Sequence, residues 1–401
     1  MANTAFQPIT GFMGLNNRID PVALGWLWQL VANNVILDDA KRFVRRPGYS
    51  AFFANVADAF GTLDDRLFVT TTSQNLYEVF SDGSYWLRAT GFSGAPFQWA
   101  ELGTAAFAIS ETTKWAIYPD RVVPWGIPTL DAPMLSLTTG SLHPGNYLAA
   151  VVLVAPDGRM GGSMGVSAIR LTAESGIVAL SEPVAGYTTK LFLSKPDADL
   201  LYDAGDFATS ALTITTQPGK SIQLHTQNIY PPPPGGMVIS RHGNRIVVAT
   251  WEPQYGRSVL YWSKPEAPHW FDYEADHQLI EGKPTLMAAH GGMLLVATDR
   301  VIYQADAVGN AQAIMRIGAL PDTRSFIDSG QVVFWTDLGP AIWPEFQLMT
   351  EKSLLPDNRT LSTSGILDHQ GSRYLITTMR GQIRPKVQRN SYSPLAVTID
   401  T

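Results

Sequence analysis

The sequence predicts an all-β fold: a divergent β-propeller of about six blades that carries an inserted immunoglobulin- or fibronectin-III-like β-sandwich. Three observations predict it: a β-rich repeat, a central group of closely spaced short strands, and a composition rich in turn formers. The 401 residues include 34 Gly, 27 Pro and 11 Trp, with 45% hydrophobic and 16% charged residues. An average soluble domain has roughly 25% charged residues. The chain is therefore too apolar to be disordered and too rich in Gly and Pro for a helical bundle.

Several function classes are excluded by composition. The chain contains no Cys, which excludes a disulfide scaffold, a thiolate metal site and a cysteine nucleophile. Its net charge of −6 argues against a basic protein that coats nucleic acid. The first residues lack a basic segment followed by an apolar core, so we expect no signal peptide. The longest apolar run, Tyr147 to Ala155, is about half the length of a membrane helix, so we expect no membrane insertion.

Residues 1–130 are predicted to hold an N-terminal segment and the first part of the propeller. The stretch 20–37 is the only plausible helical or mixed segment, because Asp20 and Pro21 fit the N-cap and the first helical position. Its end, 32–37, fits a strand equally well. A basic cluster follows, which either contacts phosphate or an acidic neighbour or is a solvated turn before a strand. The cluster consists of Lys41, Arg42, Arg45 and Arg46.

A repeat runs along most of the chain. Each copy has a β-rich run, usually a polar turn, and a second run that ends in an aromatic residue. The copies begin at Arg66, Ala105, Arg245, Met293, Val332 and, more weakly, Arg373. The first two starts are 39 residues apart and the last four are spaced by 48, 39 and 41, which fits the ~40–50-residue period of four-stranded propeller blades. A long β-solenoid and stacked sandwiches also fit; radial stacking favours the propeller because it buries both faces of each small sheet.

Residues 131–230 are predicted to form the inserted sandwich, and residues 231–401 the second part of the propeller. Five or more short strands follow one another in the insert at ~10–15-residue spacing, with 156–158 (Pro-Asp-Gly) as a hairpin turn. The insert ends at 231–236, where four prolines predict a stiff polyproline II segment that fixes the angle between the insert and the body. A plain loop is the alternative.

Two motifs resemble parts of hydrolase sites and are interpreted as structural. The segment Gly161 to Gly165 matches the G-x-S-x-G nucleophile pattern, but a β-like stretch follows where that motif needs a helix, so we expect a loop. The segment Ser81 to Trp86 resembles the Asp-box of sialidase propellers, but its spacing is short and it occurs once. We expect a hairpin turn with a packed Trp.

No other pattern predicts a catalytic, metal or cofactor site. The densest group of histidines and acids lacks zincin spacing, so surface or turn roles are expected for its members. It consists of Glu266, His269, Asp272 and His277. The sequence also lacks a glycine-rich nucleotide-binding loop. We therefore expect no cofactor and no enzyme activity.

Six features in this order resemble virion structural proteins of tailed bacteriophages. They are Asn16–Asp20, Ala32–Val35, Arg45–Tyr49, the insert ending in Pro231–Gly235, His242–Ala249 and Leu260–His269. The resemblance covers most of residues 10–305 and is to the β-propeller nozzle or tail-tube proteins found where the DNA channel leaves the head or ends the tail. Many nozzle proteins are longer than this chain and carry extra domains.

This resemblance implies a structural part of the virion rather than an enzyme. It implies a homo-oligomeric ring in the tail (nozzle, neck or tail tip), assembled in the host cytoplasm, that forms part of the DNA ejection conduit. Its implied partners are other tail or neck proteins and, transiently, passing DNA. The low charge agrees with permanent assembly, because interface cores are depleted in charge.

Two other function classes stay open. A host-surface receptor-binding protein would expose many of its Trp side chains on one rim. A propeller hydrolase of polysaccharides would need paired carboxylates, for which the candidates are Asp299, Asp337 and Glu345.

Overall fold

The computed structural model describes residues 53, 55–62, 66–110, 112–219, 222–327, 330–348, 361–369, 372–380 and 394–398, together with four short strands closer to the N-terminus. Every regular element in these residues is a β-strand. This part of the chain contains no helix long and apolar enough to cross a membrane.

The N-terminal strands form two small sheets. Strands β1 (Gly14–Leu15) and β2 (Trp28–Gln29) are parallel, and β3 (Val35–Leu37) and β4 (Phe43–Arg45) are antiparallel. The helical alternative for 20–37 is thus wrong where the structure describes that stretch. Adjacent β-branched residues in β3 favour an extended backbone, and pairing with β4 satisfies its peptide groups.

Two four-stranded meanders follow, each with its strands side by side in chain order. The first contains β5 (Val56–Gly61), β6 (Leu67–Thr71), β7 (Asn75–Val79) and β8 (Tyr85–Thr90). The second contains β9 (Gln98–Leu102), β10 (Ala105–Ile109), β11 (Lys114–Ile117) and β12 (Val122–Pro124). This strand order is that of a propeller blade.

The middle of the chain forms two sheets that pack face to face, as a β-sandwich does. Their strands are β13 (Met134–Leu142), β14 (Gly145–Val154), β15 (Ser167–Leu171), β16 (Ser175–Leu180), β17 (Thr188–Ser194), β18 (Leu201–Asp206) and β19 (Ala211–Ile214). One sheet has the order β13-β16-β19 and the other β15-β14-β17-β18. Side chains from both sheets share one core, which includes Tyr147, Ile177 and Leu191. The predicted turn at 156–158 is present, with Gly158 in the left-handed region at φ 85°.

Three further meanders and a last sheet complete the chain. The third meander has β20 (Gly236–His242), β21 (Arg245–Glu252), β22 (Arg257–Lys264) and β23 (Ala267–Phe271), with β24 (His277–Glu281) paired to β22. The fourth has β25 (Pro284–His290), β26 (Met293–Thr298), β27 (Ile302–Ala305) and β28 (Ala311–Met315). The fifth has β29 (Ser325–Phe326), β30 (Val332–Thr336), β31 (Gly339–Trp343) and β32 (Gln347–Leu348). The last sheet has β33 (Leu361–His369), β34 (Ser372–Arg380) and β35 (Pro394–Thr398).

The fold class predicted from the sequence is confirmed. Each copy of the repeat starts within one residue of the start of the second strand of a sheet. The described residues contain five such sheets of four or more strands, and the last copy begins the second strand of a three-stranded sheet. These second strands are the most buried; all five residues of β10 and of β30 are buried. Burial on both faces explains why they read as continuous apolar runs.

Hydroxyl groups close the turn after the second strand in four of the blades. The Oγ1 atoms of Thr298 and Thr336 donate to main-chain oxygens three residues further on, over 2.9 and 2.8 Å. Ser110 Oγ makes the equivalent bond to Thr113 O over 3.3 Å, and Thr71 Oγ1 bonds to Asn75 O over 3.4 Å. A Ser or Thr at this position adds a side-chain hydrogen bond to a carbonyl of the turn.

By contacts the chain divides into two compact units. One comprises Met1–Asn55, Trp251–Ser258 and Ile280–Thr401, and the other comprises Val56–Thr250 and Val259–Leu279. The second unit holds the sandwich and the first two meanders. Its core continues from the second meander into the third through residues such as Phe107, Trp125 and Ile239.

Candidate interaction surface

The G-x-S-x-G segment is structural. Ser163 is fully buried, and its Oγ contacts Gly165 O at 3.5 Å. It forms parallel bridges with Leu130 and Gln227, where the chain enters and leaves the sandwich. The segment is therefore a loop, as expected, which two isolated bridges hold in place, and its buried hydroxyl is not placed to act as a nucleophile.

The acids and histidines grouped in the sequence have separate partners. Asp272 pairs with Lys264 at 3.0 Å, and the exposed His277 has its Nδ1 3.1 Å from Glu274 O. Glu266 lies in a turn, with φ 55°. Across the described residues, no group of three or more His, Cys, Asp or Glu side chains has a geometry that could hold a metal ion.

His269 belongs to a different environment. Its ring makes an edge contact with Trp270 at a centroid distance of 5.2 Å, and its Nδ1 is buried without a hydrogen-bond partner. Desolvation lowers the pKa of His269 to about 4, and the positive charge of Arg159 acts in the same direction. The ring is thus neutral at physiological pH, a state that suits a packed side chain.

The carboxylates considered for a hydrolase accept hydrogen bonds from the chain itself. Asp299 Oδ1 accepts from Lys283 N at 2.8 Å, and Asp337 Oδ2 accepts from Gly318 N at 3.2 Å. Glu345 Oε2 accepts from the side chain of Gln331 at 2.8 Å. The two aspartates thus bind main-chain N–H groups of other segments, and Glu345 binds a side chain.

The basic cluster falls largely outside the described residues. Lys41, Arg42 and Arg46 lie there, and Arg45 is described only as the last residue of β4. Its expected contact with phosphate or a neighbour stays a prediction.

The segment that resembles an Asp-box is the turn between β7 and β8. Asp82 Oδ1 accepts hydrogen bonds from Ser84 N at 2.8 Å and Ser84 Oγ at 2.7 Å, and Gly83 has φ 89°. The expected hairpin turn is present, but the expectation of a packed Trp is wrong. Trp86 is 64% exposed, because β8 is the last strand of its sheet in the part of the chain that the structure describes. Its ring contacts Phe80 at 4.9 Å.

Three consecutive large side chains are exposed on β8, and we call them the β8 ridge. Tyr85 and Leu87 are 55% and 54% exposed and lie on one face of the sheet, while Trp86 lies on the other. Of the nine Trp residues whose burial the structure describes, only Trp86 is exposed. An edge strand normally carries charges or Pro that prevent association. This ridge carries neither.

The charged side chains on the strands beside the ridge are largely buried and paired with one another. Glu78 on β7 pairs with Arg66 at 2.7 Å and with Arg88. Arg88 also donates to the carbonyls of Tyr118 and Pro119, at 3.0 and 2.9 Å. Burial on its own would raise the pKa of Glu78, but hydrogen bonds and charges from the two arginines hold that pKa below its usual value. The exposed part of β8 is therefore both firmly held and uncharged.

A second uncharged surface lies on the sandwich. The 19 residues of β13, β16 and β19 include no Asp, Glu, Lys or Arg. Strand register places two rows of three side chains on the outer face, which we call the sandwich face. They are Met134, Leu180 and Ala211 in one row, and Ser136, Val178 and Thr213 in the other. Met134 is 73% and Leu180 41% exposed.

The polyproline segment is clamped rather than free. Lys114 Nζ donates to the carbonyls of Pro232 and Pro233, and Tyr273 Oη donates to Pro231 O at 2.6 Å. Gly126, at φ 96°, leaves no room for a Cβ beside this segment. Burial lowers the pKa of Lys114 to about 8 and raises the pKa of Tyr273. These contacts stiffen the exit from the sandwich.

No protein-family model matches the chain, and no curated protein matches its sequence. Among solved structures, the chain is similar to BamB from Moraxella catarrhalis, with 10% identity, a TM-score of 0.31, and coverage of 80% of this chain and 82% of that one. The Dos1 propeller has 8% identity, a TM-score of 0.31, and coverage of 86% and 78%. Hsv2p from Kluyveromyces lactis has 9% identity, a TM-score of 0.31, and coverage of 86% and 97%. Strand order within each sheet, rather than these similarities, identifies the blades.

Proposed function

We propose that the chain is a structural protein of tailed-bacteriophage virions, a ring-forming component of the tail (nozzle, neck or tail tip) that forms part of the DNA ejection conduit. The observation that carries the proposal is the pairing of 16% charged residues with two exposed, uncharged surfaces, the β8 ridge and the sandwich face. Such surfaces are costly to leave in water and are typical of proteins held between neighbours. The six sequence features that resemble phage nozzle proteins, in the same order, indicate that those neighbours are other copies of the chain and other tail or neck proteins.

In this function the blades form the wall of a homo-oligomeric ring that is assembled in the host cytoplasm and contacts other tail or neck proteins. It does not insert into a membrane. A net charge of −6 suits a conduit, because a strongly basic lumen would bind the DNA phosphates and retain them. Contact with passing DNA is accordingly weak and transient.

Two measurements test the proposal: the mass of the assembled chain and its position in the virion. Mass photometry of the purified full chain should give one closed oligomer, and gold-labelled antibodies against the chain should mark the tail of purified particles. A chain that stays monomeric at every concentration and is missing from particles contradicts the proposal.

The receptor-binding alternative has less support. It expects many exposed Trp side chains on one rim, whereas among the described Trp residues only Trp86 is exposed. Labelled protein that bound host cells in a saturable way, without forming a ring, would favour it.

A further inference from the structure

We propose that the β8 ridge of one copy of the chain packs on the sandwich face of the next copy, which makes this contact the ring interface. The inference rests on the proposed function insofar as it assumes that copies assemble. Both surfaces lie in the same compact unit, Val56–Thr250 with Val259–Leu279, so each copy presents both.

The first argument is one of shape. The ridge consists of large side chains, with Tyr85 and Leu87 on one face and Trp86 on the other. The second row of the sandwich face consists of the small side chains of Ser136, Val178 and Thr213, beside the larger Met134 and Leu180. A projecting Trp or Tyr buries most area against such a shallow surface, and these residue types carry much of the binding energy at interfaces.

The second argument concerns charge. Two copies that each carry a net charge of −6 repel one another, so a stable contact between them needs surfaces without unpaired carboxylates. The sandwich face has no charged residue, and Arg88 beside the ridge is occupied by Glu78. The exposed Asp82 in the preceding turn places one charge at the rim, where water still reaches it.

The third argument concerns symmetry. A ridge of large side chains does not fill another ridge, and the row of small side chains on the sandwich face buries little against its own copy. The ridge therefore fits the sandwich face better than it fits a second ridge. The contact joins two different surfaces of identical chains, which makes it heterologous. Heterologous contacts close into rings when the rotation allows, whereas a self-complementary surface stops at a dimer.

Cross-linking tests the pairing directly, because the chain has no Cys and each introduced thiol is unique. We would place Leu87→Cys and Val178→Cys in one chain, which keeps Trp86 in the ridge, and treat it with a short bis-maleimide. Denaturing gels should show a ladder that ends at the ring number. An equimolar mixture of the two single variants should give cross-linked dimers, and each single variant alone should remain uncross-linked.

A matched control moves the ridge cysteine to an exposed position outside the β8 ridge. Tyr255 is exposed in the turn between β21 and β22, and Tyr255→Cys combined with Val178→Cys should give no ladder. Trp86→Asp should raise the concentration at half-assembly at least tenfold while leaving the circular dichroism spectrum unchanged. Tyr255→Asp should leave that concentration as in the wild type.

The outcomes separate the two proposals. Dimers from a single variant alone would show that its surface packs on itself, and they would overturn the inference. A ring detected by mass photometry without a ladder from the double variant would overturn the inference and leave the proposed function standing. The absence of any oligomer would count against the proposed function itself.

Discussion

At the scale of single residues, the tightest constraint is at Gly162. A Cβ built there would lie closer to the Ile229 carbonyl oxygen than real Cβ atoms come to any atom. We expect Gly162→Ala to destabilise the fold by about 3 kcal/mol or more, because the overlap is with backbone and cannot relax by a rotamer change. Urea unfolding at equilibrium measures this.

Gly165 provides the control, three positions along. A Cβ there would lie 3.5 Å from the Ala132 Cβ, an ordinary contact, and its backbone is not in the left-handed region. Gly165→Ala should therefore change the free energy of unfolding by less than about 1 kcal/mol. Equal effects of the two substitutions would contradict the close approach at Gly162.

The Lys114 clamp predicts a pH dependence. The unfolded chain keeps the lysine proton up to about pH 10.5, whereas the folded chain releases it near pH 8. Between these values the unfolded state binds more protons, so this residue makes stability rise with pH, by at most about 1.4 kcal/mol per pH unit. Lys114→Met should remove that rise.

The measurement is the free energy of unfolding from pH 7 to pH 10 for the wild type and the variant. Lys283→Met, at an exposed lysine, should keep the wild-type slope. A Lys114→Met curve parallel to the wild type would show that the buried amine is not titrating in this range.

At the scale of elements, the hydroxyl after each second strand should matter most where it is fully buried. Thr298 Oγ1 donates to Val301 O and accepts from the main-chain N–H groups of Arg300 and Val301, at 3.2 and 2.9 Å. Thr298→Val leaves the two N–H groups without this acceptor in a buried turn, while Val301 O keeps its bond from Thr298 N. We therefore expect the free energy of unfolding to fall by about 1–3 kcal/mol.

Thr298→Ser keeps the hydroxyl and should recover most of that loss. Thr172→Val, at an exposed threonine of the sandwich, should change stability by less than about 0.5 kcal/mol. Thermal or urea unfolding of the three variants distinguishes the turn hydroxyl from a general effect of replacing Thr. If Ser recovers nothing, the hydrogen bonds are not the cause.

The second and third strands of the blades were predictable from the sequence because strands that are buried on both faces consist of continuous apolar residues. Strands such as β10, β26 and β30 are continuous apolar runs at blade spacing. Outer strands carry a weaker pattern, since one edge and parts of both faces meet solvent; β28, with Gln312 and exposed Ile314, is an example. The sequence therefore predicted the number and type of sheets better than their outer limits.

The candidate surface was not predictable for a related reason. An aromatic residue in a strand usually packs, so Trp86 was expected in a core; nothing in its neighbourhood shows that β8 is the last strand of its sheet. Likewise, the apolar run 177–180 does not by itself show which of its residues are buried. The register places Ile177 and Ala179 inside, and Val178 and Leu180 outside. Sheet order and register come from tertiary pairing, which a single strand does not encode.

At the scale of the whole molecule, a contact between uncharged surfaces on acidic copies predicts how assembly depends on salt. Copies with a net charge of −6 repel over the Debye length, which falls from about 30 Å at 0.01 M to about 8 Å at 0.15 M ionic strength. Since the proposed interface contains no ion pair that salt could weaken, screening by salt removes only the repulsion between copies.

The fraction of assembled chain at a fixed concentration should therefore rise with sodium chloride, as measured by sedimentation velocity, while the circular dichroism spectrum stays constant. An interface built on salt bridges behaves in the opposite way, so dissociation on adding salt would exclude the contact between the β8 ridge and the sandwich face as the main source of assembly.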